Sequence, residues 1–251
     1  MRARETPALE PPPRRRLAFP GDAFSCIYAI GDVHGRQDLL LAAFDNIHRD
    51  AASLSGRILI VCLGDYVDRG PDSSAVLGFL AGYTHPTVGM IALCGNHDDS
   101  FLRFLEDPQR LESWLRFAGP QTLMSYGIDP AHAMERGGVA GLSTALERMV
   151  PERHRSLLSS MPVMVQVGTT VFVHAGIRPG VSLDEQEDGD LMWIRQPFLK
   201  RGPELPVTVV HGHSPSDNPV FGPSRIGIDT GAYATGRLTV LKIHDGETTV
   251  L

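Results

Sequence analysis

From Phe24 onward, a short apolar run rich in β-branched residues, a polar turn containing glycine and a helix-spaced apolar pattern follow one another three times. The first run is Cys26-Ile27-Tyr28-Ala29-Ile30, its turn Gly31 to Gly35, and its helix carries Leu39, Leu40, Ala43, Phe44 and Ile47 on one face. The second is Ile58-Leu59-Ile60-Val61, the turn Gly64 to Gly70, and a helix with Val76, Leu77, Phe79 and Leu80. The third is Val88 to Leu93, the turn Gly95 to Asp98, and a helix from about Asp99. Strand, loop and helix in this order predict parallel neighbours whose C-terminal ends gather their loops on one edge of a sheet. A site is expected on that edge.

Residues 100 to 160 follow another rhythm. Trp114, Leu115, Phe117, Leu123, Leu142, Leu146, Met149, Leu157 and Leu158 recur at helical spacings, interrupted by Gly119-Pro120, Pro130 and Pro151. This predicts a helical insertion that covers or flanks the site, as core or lid. Strands then return at Val163 to Val167, Val171 to Val173, Val207 to Val210, Ile226 to Ile228 and Leu238 to Ile243, which predicts a second sheet packed on the first. Residues 1–22, rich in Pro and Arg and without periodicity, read as a disordered tail before a single domain over 23–251.

Composition narrows the class. The chain has 251 residues, 42% of them hydrophobic, which suits one globular α/β domain. A formal charge of -6 gives no overall attraction for nucleic acid or an anionic membrane, so a phosphate must be gripped locally. No apolar stretch approaches the roughly 20 residues of a membrane span, and cytoplasm is the default location. Cys26, Cys62 and Cys94 form no Cys-x-x-Cys pair and lie in or beside strand-like runs, so buried thiols without chemistry are expected. Oligomeric state is not encoded in any of these features.

Candidate chemistry clusters at the strand ends. Three early turns, Gly31-Asp32-Val33-His34-Gly35, Gly64-Asp65-Tyr66-Val67-Asp68-Arg69-Gly70 and Gly95-Asn96-His97-Asp98, are joined by His174-Ala175-Gly176 and Gly212-His213-Ser214. Asp32 and His34 lie two apart in an extended turn and can point to one side, so a carboxylate and an imidazole reach one ion. A mixed Asp, Asn and His set suits Mn(II), Fe or Zn and is too nitrogen-rich for Ca or Mg alone. Six such ligands favour two divalent metal ions over one.

The motifs GDVHG, GDYVDRGPDS, GNHD, VHAG and GHSP occur in one order between about residues 30 and 215. In these the chain resembles the calcineurin-like metallophosphoesterases, and within them the bacterial and bacteriophage serine/threonine phosphoprotein phosphatases. The resemblance implies a β-sandwich of two sheets flanked by helices. It implies one metal on Asp32, His34 and Asp65, and a second on Asp65, Asn96, His174 and His213. The last ligand follows from the family's Gly-His-Ser/Thr-Pro pattern, which selects His213 over His211. It further implies hydrolysis by a metal-bridging hydroxide, phosphate gripped by Arg69, Arg195 and Asn96, and His97 as general acid held by Asp68.

On this resemblance the expected substrate is a phosphorylated protein or small phosphoester, chiefly phosphoserine and phosphothreonine, because Asp68 precedes Arg69 as in the protein-phosphatase branch. A dinucleoside polyphosphate hydrolase is the alternative, and a phosphate-binding scaffold without turnover the second. A nuclease is disfavoured by the lack of a basic, aromatic-interleaved patch. Tyr233 is expected to be structural, the Asp184 to Asp188 stretch a solvated loop, and His48, His85, His132, His154 and His244 exposed or satisfied side chains.

Overall fold

The structure, a computed structural model, describes residues 12–109, 114–115 and 118–251. The first half runs β1 (Arg16–Phe19), β2 (Cys26–Ile30), α1 (Gln37–Ala51), β3 (Ile58–Cys62), α2 (Ser73–Gly82), β4 (Val88–Ala92) and α3 (Asn96–Glu106). Three helices follow, α4 (Gly119–Ser125), α5 (Pro130–Met149) and α6 (Glu152–Ser160). The chain then continues through β5 (Met164–Val167), β6 (Thr170–Val173), α7 (Asp188–Trp193), α8 (Phe198–Arg201), β7 (Thr208–His211), β8 (Val220–Gly222), β9 (Arg225–Gly227), α9 (Ala232–Thr235), β10 (Val240–His244) and β11 (Glu247–Val250).

The strands form two mixed sheets, ordered β11-β10-β2-β3-β4 and β1-β5-β6-β7-β9-β8, with helices outside. Period-two alternation divides the core. Ala29, Leu59 and Val61 face the second sheet and meet Val165, Phe172 and Val210. Tyr28, Ile30, Ile60 and Cys62 face the opposite way and pack with Leu40, Phe44, Ile47, Val76 and Leu77 of α1 and α2. On α1 the buried set Leu40, Ala43, Phe44 and Ile47 keeps the i, i+3, i+4, i+7 spacing of one helix face. Full burial of a side chain such as Leu40 contributes ~1.5–3 kcal/mol.

Parallel register places the site. Ile30 pairs with Cys62, and Cys62 with Ala92, so β2, β3 and β4 end level and their turns lie side by side. In the second sheet β6, β7 and β9 are also parallel, with Phe172 beside Val210 and Val210 beside Ile226. The three cysteines are buried free thiols, and burial pushes the Cys62 thiol up to about 12.

One expectation needs correction and two need refinement. The expected tail over 1–22 is ordered from residue 12 on: Arg16–Phe19 pairs in parallel with β5, and residues 1–11 lie outside the described residues. The reason is local polar satisfaction. Arg14 donates to Leu158 O, Met161 O and Asp99, Arg15 to Ser160 O, and Arg16 to Gln186 O and Asp188. In the Asp184 to Asp188 stretch Asp184, Glu185 and Glu187 are exposed as expected of a solvated loop, while Gln186 is buried with its amide bound to Arg178 and Val181 and Asp188 pairs with Arg16. Of the two forms expected for the insertion, core or lid, its described residues take the first: none of them lines the cavity at the strand ends, two of its helices pack on α2, and Trp114 and Thr122 lie behind Asp68.

Candidate metal centre and active site

Asp32 and His34 follow β2, Asp65, Asp68 and Arg69 follow β3, Asn96 and His97 open α3, His174 follows β6, and His213 follows β7. Backbone hydrogen bonds lock the turns together: the amides of Val33 and His34 donate to Asp65 O, and that of Gly35 to Tyr66 O. Asp98, fully buried, accepts from the amides of Asp65, Tyr66 and Gly95 and so joins the second and third turns. A side chain at Gly95 would place Cβ 2.2 Å from Asp65 Oδ1, and one at Gly212 would place it 1.9 Å from Asp32 Oδ1. These two glycines let the carboxylates approach the neighbouring backbone. Five of the eight described non-glycine residues with positive φ are His34, Asp65, Asp68, Arg69 and His213, so backbone strain concentrates here.

Two clusters of donor atoms meet at Asp65. His34, Asp65 and His97 form one, and Asp65, His174 and His213 the other, each with its donor atoms within 4.8 Å of one another. Asp65 Oδ2 is 3.5 Å from His34 Nε2, and Asp65 Oδ1 is 3.4 Å from His174 Nε2. Asp32, whose carboxylate accepts the amide of His213 at 3.0 Å, lines the same cavity of ≈ 660 Å³ together with Asn96, Arg69 and Arg195.

These donors fit metal ions. His34 Nδ1–H donates to Val67 O and His174 Nδ1–H to Leu63 O, which leaves each Nε2 as a lone pair. His174 Nε2 then faces Asn96 Oδ1 at 2.9 Å and Asp65 Oδ1 at 3.4 Å, three acceptor atoms turned toward one another. A cation satisfies that convergence without protonating His174 Nε2, which burial disfavours. Charge points the same way. Burial, then the nearby charges of Asp229 and Asp65, push the Asp32 carboxyl well above its usual range. Burial works to raise Asp65 too, but His174, His97 and His34 hold it below the carboxylate range. Burial lowers His34 to about 4 and His213 to about 3, and also lowers His174, so these imidazoles are neutral and free to ligate.

His97 differs from these three. Burial lowers it, but Asp65 and the hydrogen bond from Nδ1 to Asp68 at 2.7 Å outweigh burial and raise its pKa above that of a free imidazole. Its Nε2 lies 3.9 Å from Asp65 Oδ2 and 3.4 Å from Arg69 Nη2. His211 is turned away: its Nδ1–H donates to Gly212 O, its Nε2 accepts from Arg225, and its ring packs on Phe198. Both nitrogens of His211 are therefore engaged outside the cavity.

The structure thus brings Asp32, His34, Asp65, Asn96, His97, Arg69, Arg195 and His213 to one cavity wall, with His174 and Asp68 buried behind it. Tyr233 lies at the rim, with the Arg69 guanidinium 4.6 Å over its ring. Six wall residues lie outside the set expected from the sequence: Gly189, Asp190, Trp193, Ile194, Gln196 and Asp229. Asp229 stands just past the run Ile226 to Ile228, a strand-end position like the others, and Trp193 precedes Arg195 by two residues.

Residues 27–243 match the family model for calcineurin-like phosphoesterases, and the chain belongs to that family. It is a metallophosphoesterase by fold and site. It is 24% identical over 240 residues to a bis(5'-nucleosyl)-tetraphosphatase PrpE (asymmetrical) of Bacillus cereus, covering 87% of this chain and 91% of that one. Its fold is similar to a protein proposed to be a diadenosine tetraphosphatase, with TM-score 0.62, 20% identity and coverage of 94% and 98%. It is also similar to a Saccharomyces cerevisiae serine/threonine phosphatase resembling human PP5, with TM-score 0.59, 15% identity and coverage of 94% and 82%. Among the described residues no helix is long and apolar enough to cross a membrane.

Proposed function

We propose that this chain cleaves dinucleoside polyphosphates of the diadenosine tetraphosphate type, splitting the tetraphosphate and water into ATP and AMP. The observation that supports this substrate is likeness to an asymmetrical bis(5'-nucleosyl)-tetraphosphatase along 87% of the chain. Asp68, the residue that led the sequence toward protein phosphatases, makes no direct contribution to substrate binding in this reading. Asp68 is fully buried and bonded to His97, Trp114 and Thr122, so it touches no substrate and cannot select one.

Asp32, His34 and Asp65 would hold one divalent cation and Asp65, Asn96, His174 and His213 the other, with Mn(II), Fe or Zn suited to these donors. When bound, such a pair lowers the pKa of a water and neutralises phosphate oxygens. The chain's own groups supply the rest. Arg69 and Arg195, with Asn96, bind the non-bridging oxygens, and the guanidinium fork fits that geometry. His97, with Nδ1 held by Asp68, presents Nε2 to the departing oxygen and delivers a proton there.

Phosphoserine and phosphothreonine proteins are the second reading, favoured by the order of the motifs and by the protein-phosphatase fold. Metal-stripped protein resupplied with Mn(II) separates them. Faster turnover of diadenosine tetraphosphate than of a phosphothreonine peptide, with ATP and AMP as products, is the expected result. A peptide turned over faster, or two ADP as products, overturns it.

A further inference from the structure

Among the described residues the cavity wall holds one Phe, Tyr or Trp, and that residue is Trp193. Trp193 is 54% exposed at the mouth, its ring 6.2 Å from that of His213. A large apolar ring left half in water is informative when its surroundings hold it there, and these do. The preceding residues of α7, Leu191 and Met192, are buried, and Leu191 O accepts the amide of Ala175, next to His174. At the other end of α7, Asp188 accepts from the backbone amide of Arg14 at 2.6 Å and from Arg16 at 2.8 Å. After Trp193, Ile194 packs against Gly176, and Arg195 lines the cavity. The backbone that carries Trp193 is therefore held on both sides, and the residue itself stays half exposed.

We propose that Trp193 is a stacking platform for a nucleobase of the substrate. This rests on the dinucleoside polyphosphate reading and names the group that recognises the nucleoside. One short segment, Trp193-Ile194-Arg195, offers an aromatic plane and a phosphate-binding guanidinium side by side, which matches a planar base attached through a sugar to phosphate. A phosphoserine or phosphothreonine side chain carries no planar group beside its phosphate. Tyr233, on the side of His34, already has the Arg69 guanidinium over its ring, which leaves Trp193 as the wall's available plane. Stacking accepts any base, so adenine and guanine dinucleotides have similar KM values.

The chain has two tryptophans, and Trp114 is buried and bonded to Asp68, so a ligand at the mouth reports through Trp193. Full-length protein with Mn(II) is titrated with a methylene-bridged diadenosine tetraphosphate and, separately, with inorganic tripolyphosphate, while its fluorescence is followed. The dinucleotide analogue quenches the wild type and not Trp193→Phe, and tripolyphosphate leaves the signal unchanged. The KM for diadenosine tetraphosphate rises about 10-fold in Trp193→Ala, as expected for a lost base stack, and Trp193→Phe recovers most of it. Thermal midpoints equal to wild type show that both variants are folded.

Equal quenching by tripolyphosphate, an unmoved KM, or quenching by a phosphothreonine peptide in place of the analogue overturns the platform. Hydrolysis of diadenosine tetraphosphate with those results sinks the platform alone and leaves the proposed function standing. Quenching through Trp193 without hydrolysis supports the platform and sinks the proposed function instead.

Discussion

Asp68 Oδ2 accepts the Nδ1–H of His97 at 2.7 Å and, on the same oxygen, the indole N–H of Trp114 at 2.9 Å. Its other oxygen accepts the Thr122 hydroxyl at 2.6 Å. With no exposure of its own, Asp68 sets the tautomer and direction of His97 and leaves Nε2 facing the cavity. Trp114 and Thr122 belong to the insertion, so that segment acts on the chemistry from behind.

A proton delivered by His97 matters most when the departing group is a poor one. His97→Ala is expected to slow hydrolysis of an alkyl phosphate by about 10²–10⁴-fold and that of p-nitrophenyl phosphate by much less. Steady-state rates on the two esters with Mn(II) check this. Equal losses on both would mean that His97 does not donate a proton.

Gly212→Ala puts Cβ where Asp32 Oδ1 now lies, 1.9 Å away, so the carboxylate must move. Metal binding is expected to weaken by about 10–100-fold, the usual cost of disturbing groups that orient ligands. Gly82→Ala, with no atom within 4 Å of the new Cβ, is the control and is expected to bind metal as wild type does. Calorimetric titration of stripped protein with Mn(II) measures both.

Arg14 and Asp99 are each 11% exposed and pair at 3.0 Å, two residues beyond His97 on α3. Arg14→Ala leaves the Asp99 charge paired with Arg103 alone, at 2.7 Å, and is expected to cost about 1–3 kcal/mol in urea unfolding. The Arg14→Ala, Asp99→Ala double variant should recover part of that loss. An Arg14→Ala protein as stable as wild type would show that the segment before β1 contributes nothing.

Burial, reinforced by Arg153, lowers His154 to about 4 from its ordinary 6.5. The unfolded chain therefore binds the extra proton first as pH falls. Stability linked to His154 is full above about 6.5 and is lost progressively as pH drops toward 4. Urea midpoints of metal-free wild type and His154→Asn between pH 7 and 4 should show a shallower decline in the variant. Parallel curves would contradict the assignment.

The three strand-turn-helix units and the clustering of Asp32, His34, Asp65, Asn96 and His97 were legible because local alternation and turn glycines encode them directly. What was hidden depends on long-range pairing. Arg16–Phe19 looks like tail until β5, almost 150 residues later, offers it an edge. The role of Asp68 could not be separated from substrate choice until its burial and the contacts of Trp114 and Thr122 were visible. Trp193 carried no signal because exposure of a tryptophan is a property of the fold.

Asp65, common to both donor clusters, is placed to be shared between two metal ions that support hydrolysis. Metal content per chain, measured after stripping and reloading with Mn(II), tests it in wild type and Asp65→Asn alongside hydrolysis of diadenosine tetraphosphate. Two ions per wild-type chain are expected, fewer in the variant, with turnover that requires Mn(II) and collapses in Asp65→Asn. Full turnover by stripped protein, or two ions and undiminished activity in Asp65→Asn, would contradict it.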